Sequence, residues 1–473
     1  MLTKRGPMQP TMLCCTIEDL MPKKHFLRDL LNAMDFDFIY DRVAHLYSAI
    51  GRPSIDPVII IKMLLIGYLY GIESERRLES EVQLNIAYRW FLGLNFEDSV
   101  PDHTTFSQLR RRKFNDSRLF EDIFDEVVRK CIATGLVDGS LLLTDSTHVR
   151  ANAANDKQEI ITLTQEPSAY MKKLDELAVK DGLIEEVSAA PEIKTVERKQ
   201  SLTDPDCGMM KRPGKPYGFH YLSHNTVDGN SGIITDVFVT AGNVTDSTVY
   251  TERIKYQINK FGFDTKEAGG DAGYDTREIQ ADMLDMGIQT YMPVRDARNQ
   301  FTTFTVREFK YDAENDEYIC PNNCRLRYYL YKKGGGIKCY KSDAKQCSAC
   351  PYRSQCLSGK CKEKRVGRMY HETEYAKQHE INDTPRYQEV MMLRQIWCEG
   401  NFACQKSQHC LKRAKMRGIV KTTGQCMLSA TVLNLKRLVA WVNTNLFGRS
   451  KYLLIRLHYT FIPDILVFYL SVN

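Results

Sequence analysis

From Pro57 to Gly71 the chain reads PVIIIKMLLIGYLYG, with almost no polar interruption, which predicts a helix buried on all sides. The next run, SERRLESEVQLNIAYRWFLG, sets Leu78, Val82, Ile86 and Trp90 four residues apart behind Ser74 as N-cap, and predicts a helix packed on the first. After the break NFEDSVPDH, the segment TTFSQLRRRKF predicts a short third helix, capped by Thr104 or Thr105 and ending in Arg110, Arg111, Arg112 and Lys113. Together they predict an all-α, helix-turn-helix-like domain over residues 1–135. Its four cations either contact DNA phosphates or form a solvated helix end that suits the helix dipole.

The pattern then changes. GSLLLTDSTHVRANA gives a short buried strand that ends near Asp145, and KPYGFHYLSHNTVD, with Tyr217, Phe219 and Tyr221 alternating, turns through DGNSG into GIITDVFVTAG as a hairpin. TVYTERIKYQINKFG predicts a helix, TKEAGG a strand ending at Asp271, TREIQADMLDMG a helix with a glycine stop, and IQTYMPV a last strand. The order β, β, β, α, β, α, β over residues 136–295 is an α/β layer with a mixed sheet, and it sets Asp145 and Asp271 at two strand ends, where ligands gather. Residues 156–210 read as a polar insertion with helical pieces. Residues 296–380 read as a cysteine-rich insert, and a long helix, RYQEVMMLRQIWCEGNFACQKSQHCLKRAKMRG, opens the final block, 381–445. The tail 446–473 is apolar, but Arg456, His458, Pro463 and Asp464 interrupt it, against a membrane span.

Composition changes the picture only in part. The chain has 473 residues and 43% hydrophobic content, enough for a sizeable core, and its 65 Lys and Arg against 59 Asp and Glu favour a polyanionic partner only weakly. The opening MLTKRGPMQPTMLCCTIEDL lacks a sustained apolar core, so a cytoplasmic protein is expected. Of 15 cysteines, seven fall between Cys320 and Cys361, too uneven for a secreted disulfide framework. The pairs Cys320/Cys324 and Cys347/Cys350 have spacing close to a four-thiolate structural zinc site, with Cys339, Cys356 and Cys361 as spares; the alternative is reduced cysteines that merely pack.

Asp145, Asp271 and Glu399 stand out as a set. Two-metal phosphoryl transfer needs carboxylates that hold hard divalent ions about 3.5 to 4 Å apart. Each taken alone reads equally as a cap, a turn former or a surface residue. Glu399, Lys406 and Arg413 recur at seven-residue intervals, which on one helix drift only about 20° per step and put two cations for a phosphate backbone behind a metal-binding carboxylate.

These motifs resemble the DDE transposases of bacterial insertion sequences from about Gly51 to Leu438. GRPSIDPVIIIKMLLIGYLYG through PDHTTFSQLRRR is similar to the helical domain before their catalytic core. LLLTDSTHVRANA is similar to the first-aspartate motif, and SLTDPDCGMMKRPGKPYGFHYLSHNTVD with VTAGNVTDS to the hairpin region after it. GGDAGYDT is similar to the second-aspartate motif, and EGNFACQKSQHCLKRAKMRG with LNLKRL to the final block. The resemblance implies a ribonuclease-H-like core with Asp145, Asp271 and Glu399 catalytic on two Mg2+ or Mn2+ ions, and Lys406 as a DNA contact. It also implies binding and cutting of double-stranded element ends, strand transfer into target DNA, at least two protomers, and a nucleoid-associated place in the bacterial cytoplasm. One departure stands out: relatives carry Tyr-x2-Arg-x3-Glu-x6-Lys, whereas Met392 and Gln395 occupy the first two positions here and Arg394 is displaced by one. A DNA-binding protein that has lost catalysis, or a metal-dependent nuclease without strand transfer, remain the alternatives.

Overall fold

The computed structural model describes residues 14–48, 50, 54–114, 117–165, 169–185, 194–211, 214, 217–294, 304–332 and 336–446. The apolar tail lies outside them. Among the described residues no helix is long and apolar enough to cross a membrane.

Pro57 starts the helix Pro57–Leu69, and the Asp56 carboxylate accepts from Val58 N–H. Ser74 caps the next helix as the sequence predicts, accepting from Arg77 N–H. That helix stops at Leu84. Asn85 stays extended and its side-chain oxygen accepts from Ala87 and Tyr88 N–H, which starts a new helix, Ile86–Leu92. One expected helix becomes two because an Asn side chain competes with the helical backbone. The third helix, His103–Leu109, is capped by Asp102 and not by Thr104 or Thr105, since the carboxylate reaches both threonine N–H groups.

The predicted β, β, β, α, β, α, β order is present. Strand β1 (Leu141–Arg150) is followed by a two-stranded ribbon, β2 (Gln158–Gln165) against β3 (Lys194–Ser201), with a helix, Ala169–Lys180, between them. The polar insertion therefore holds a helical piece, as expected, and a β-ribbon that was not; the ribbon leaves Ile160 and Val196 exposed, so no apolar face marks it in sequence. Strands β4 (Gly208–Met210), β5 (Gly218–Asp228) and β6 (Ile234–Ala241), helix Tyr250–Phe261, β7 (Glu267–Gly269), helix Arg277–Asp285 and β8 (Gln289–Tyr291) complete the layer. One edge of β5 pairs with β1, and its other edge carries β4 and β6 end to end; β1 then pairs in parallel with β7, and β7 with β8. A second, antiparallel sheet follows: β9 (Lys310–Asp312), β10 (Glu317–Ile319), β11 (Arg325–Lys332), β12 (Ile337–Lys341) and β13 (Arg365–Met369).

The chain returns to the first sheet through helix Pro385–Arg394, a π-helical turn Gln395–Glu399 and helix Gly400–Gln408. It ends in the helix Ile419–Leu446, which packs on β6 and on helices Phe26–Ala33, Pro57–Leu69 and Leu119–Ala133. Leu27, Ile60, Leu65 and Phe114 share one hydrophobic cluster with Ile254, Met283, Leu435 and Leu438. The first helices are thus completed by the last one.

His409 locks this closure. It is fully buried, its Nδ1 donates to the Tyr68 carbonyl at 2.8 Å, and its Nε2 faces Lys436 Nζ at 3.4 Å. Burial first, then the Lys436 charge, lower its pKa to about 4. The folded imidazole stays neutral while the unfolded one protonates near pH 6.5, so stability is complete above that and falls as the pH drops towards 4. The loss is of order 3 kcal/mol. Thermal midpoints of wild type and His409→Asn, compared across pH 7 to 4, should show a shallower decline in the variant; parallel curves would remove His409 from the pH dependence.

Candidate active site

The sheet register brings the two aspartates together. Leu143 on β1 lies opposite Gly269 on β7. Asp145 and Asp271 each lie two residues further along and so fall side by side on neighbouring parallel strands, which are spaced about 4.8 Å apart. Asp271 lies just past the end of β7, but β1 does not end at Asp145 as the sequence predicts, because its pairing with β5 carries it on to Arg150. Asp145 pairs with Asn225 on β5, and Ser146 N–H donates to the Asp145 Oδ1 at 2.7 Å. Burial pushes the Asp145 carboxyl up to about 6; Arg394 opposes this, and the charges of Asp271 and Glu399 add to the rise. Two acids far away in sequence therefore act on Asp145.

The glycines around Asp271 serve packing and turn geometry. A Cβ on Gly269 would stand 2.7 Å from Leu143, one on Gly270 3.1 Å from Tyr274, and Gly273 N–H donates to Asp271 Oδ1 at 2.8 Å.

Glu399 reaches the site from a helix pinned to the β5–β6 turn. Trp397 Nε1 donates to the Gly229 carbonyl at 2.9 Å, and a Cβ on Gly232 would collide with the Trp397 ring. Asn401 donates to the Gly232 carbonyl at 3.0 Å, and Asn225 on β5 donates to Gln405 at 3.1 Å. With one side of the helix so held, the Glu399 side chain is left 55% exposed. Arg394 lies between the acids: its guanidinium donates to Asp145 Oδ2 at 3.1 Å and stands 3.7 Å from Glu399 Oε1. The displaced arginine returns to the site because the turn between it and Glu399 is π-helical. In such a turn residues five apart, not four, come into line.

Lys406 Nζ donates to Thr147 Oγ1 at 2.6 Å, on the same strand and face as Asp145. Arg413 does not continue the helical face predicted for it. The helix ends at Gln408, Cys410 takes a left-handed φ of 59°, and Gln425 donates to the freed carbonyls of Cys410 and Arg413. Arg413 instead forms an isolated parallel bridge with Arg150 at the end of β1. In the helical region, Arg110 is buried and paired with Glu75 at 2.5 Å, and Lys113 lies over the Tyr47 ring at 3.4 Å from its centre. Only Arg111 and Arg112 point outward. Four consecutive residues cannot share one face of a helix, so the run divides.

Sequence reasoning missed Asp246. It follows β6 within VTAGNVTDS, and Ser146 Oγ donates to its Oδ1 at 3.0 Å. The buried Tyr274 hydroxyl feels Asp145, Asp246 and Asp271 together, which, behind burial, helps raise its pKa. The signal was the acid in a motif already singled out. Among the described residues, the trio of acids and histidine whose ligand atoms all come within 4.8 Å is elsewhere, at Glu79, Asp102 and His103. There His103 bonds Glu79 at 2.7 Å and accepts from Arg76 at 3.1 Å, a brace between two helices.

A family model described as a transposase domain matches residues 15–112, and one described as a transposase DDE domain matches residues 319–439. Two segments of the chain thus match transposase domains, the second of them a DDE domain. The second match contains Glu399, Arg394 and Lys406, whereas Asp145 and Asp271 lie between the two matched segments. A solved piggyBac transposase synaptic complex with hairpin DNA is similar at 9% identity and a TM-score of 0.34, covering 92% of this chain and 77% of that one. No curated protein matches the chain.

Proposed function

We propose that this chain is a DDE transposase that binds the terminal inverted repeats of a bacterial insertion sequence, cuts at those ends and joins the freed 3′-hydroxyl to target DNA. The observation that carries the reading is the register that sets Asp145 beside Asp271, with Glu399 pinned next to them. A mixed sheet in the order β6–β5–β1–β7–β8, with β5 antiparallel to β1, supports a ribonuclease-H-like core.

Asp145, Asp271 and Glu399 offer oxygen donors alone, which fits two Mg2+ or Mn2+ ions. Such ions supply activation of the attacking water or hydroxyl and stabilisation of the leaving oxygen. Lys406, held beside Asp145 by Thr147, would place a DNA phosphate next to the aspartates, and Arg413 would extend that contact to the end of β1. Arg111 and Arg112 would give the helical region its outward cations for end recognition. Two ends must be held at once, so at least two protomers are needed, and the substrate places the protein with the nucleoid in the cytoplasm.

Purified protein incubated with end-containing duplex, target plasmid and Mg2+ should yield both cleaved ends and joined product. Binding without cleavage would show a protein that has lost catalysis, and cleavage without joining a nuclease; either result overturns the proposal.

A further inference from the structure

The module carrying β9 to β13 has little to hold it together. Its buried apolar core consists of Phe309, Tyr318, Leu326, Tyr340 and Val366. Modules with so small a core usually need a covalent or metal staple. At one end of this core, Cys320, Cys324, Cys347, Cys350 and Cys356 line a single cavity of about 30 Å3, and all five are free thiols. That volume holds one ion and no organic ligand.

The local backbone is shaped around sulfur. Asn323 takes a left-handed φ of 53°, which turns the chain so that Cys324 N–H donates to Cys320 Sγ at 3.3 Å. Ser342 Oγ lies 3.0 Å from Cys347 Sγ. Arg353 and Lys364 line the same cavity, with Arg353 donating to the Cys347 carbonyl at 3.3 Å and Lys364 to the Cys356 carbonyl at 3.1 Å. Four thiolates around a divalent ion leave two negative charges, which these two cations balance. Among the described residues no three of the sulfurs lie within 4.8 Å of one another, so ligation of one ion would require the thiols to draw together.

We propose that Cys320, Cys324, Cys347 and Cys350 bind a structural zinc ion that staples the β10–β11 turn to the helix Ala344–Ser348. Soft thiolates select zinc over the hard ions suited to the carboxylates, so the site is independent of the chemistry at Asp145. Cys356 lines the cavity without ligating.

Full-length protein purified without chelator or added metal should contain about one zinc per chain, and cobalt exchange should give the absorption of a tetrahedral tetrathiolate site. Cys324→Ser and Cys350→Ser should each lose the metal, and Cys356→Ser should keep it. Where a serine variant fails to fold, titrating wild-type thiols with an organomercurial should release the zinc in step with the first thiols modified. Wild type with far less than one zinc, or Cys356→Ser losing the metal while Cys324→Ser keeps it, would overturn the assignment.

Discussion

Replacing Asp145, Asp271 or Glu399 singly by the matching amide should lower DNA-end cleavage by roughly 10³-fold or more and leave end binding intact. The amide is the sharper probe at Asp145. Its remaining carbonyl oxygen can still accept from Ser146 N–H or from Arg394, so one of the two contacts is kept while a metal-binding charge is lost. Because burial already works against the ionised Asp145 side chain, removing its charge should cost little stability, and the melting temperature should hold within a few degrees. Asp246→Asn should have a smaller effect, roughly tenfold, since its contact with the site runs through Ser146. Cleavage of labelled ends in Mg2+, with gel-shift binding as the control, measures all four. Retained cleavage in any one of the first three would remove that residue from the reacting set.

Much of the sheet was legible because its strands are buried: the Leu141–Leu143 run and the alternating Phe219 and Tyr221 announce themselves in sequence, although Tyr217, the first of that alternation, is exposed and precedes β5. Asp271 was legible as lying at a strand end, whereas Asp145 was misplaced at one, since nothing in the polar residues after it shows that pairing with β5 carries β1 on to Arg150. Their adjacency was not legible, because it depends on a pairing between residues more than a hundred positions apart. Local geometry was harder still. Nothing in the composition of Gln395–Glu399 distinguishes a π turn from an α turn, and the left-handed Cys410 that ends the glutamate helix carries none of the usual stop residues. Seven-residue spacing therefore placed Lys406 well and Arg413 wrongly, since the first lies before that stop and the second after it. Arg110 was misread for a different reason. Charge alone does not reveal that Glu75, one helix away, draws it inward.

The π turn makes a second strong prediction, about register. In relatives the arginine stands four residues before the glutamate; here it stands five before, and the wider turn restores the alignment, bringing the guanidinium to Asp145 and Glu399 together. A π turn is in effect one residue inserted into an α-helix, so deleting Gln395 should leave both flanking helices on their present faces and return the spacing to four. That deletion should retain cleavage within about tenfold, whereas adding an alanine after Gln395 should swing the guanidinium away and lower cleavage by roughly 10²-fold, as Arg394→Ala should. Arg394→Lys should recover little, because a point charge cannot reach two carboxylates in the planar geometry of a guanidinium. Mn2+ binding followed by electron paramagnetic resonance gives a readout apart from activity. Removing Arg394 takes away a cation bonded to Asp145 and close to Glu399, so Arg394→Ala should bind the ion at least as tightly as wild type while cutting DNA poorly. A fully active Arg394→Ala, or a Gln395 deletion that folds and binds DNA but does not cut it, would show that the π turn leaves the arginine's displacement uncorrected.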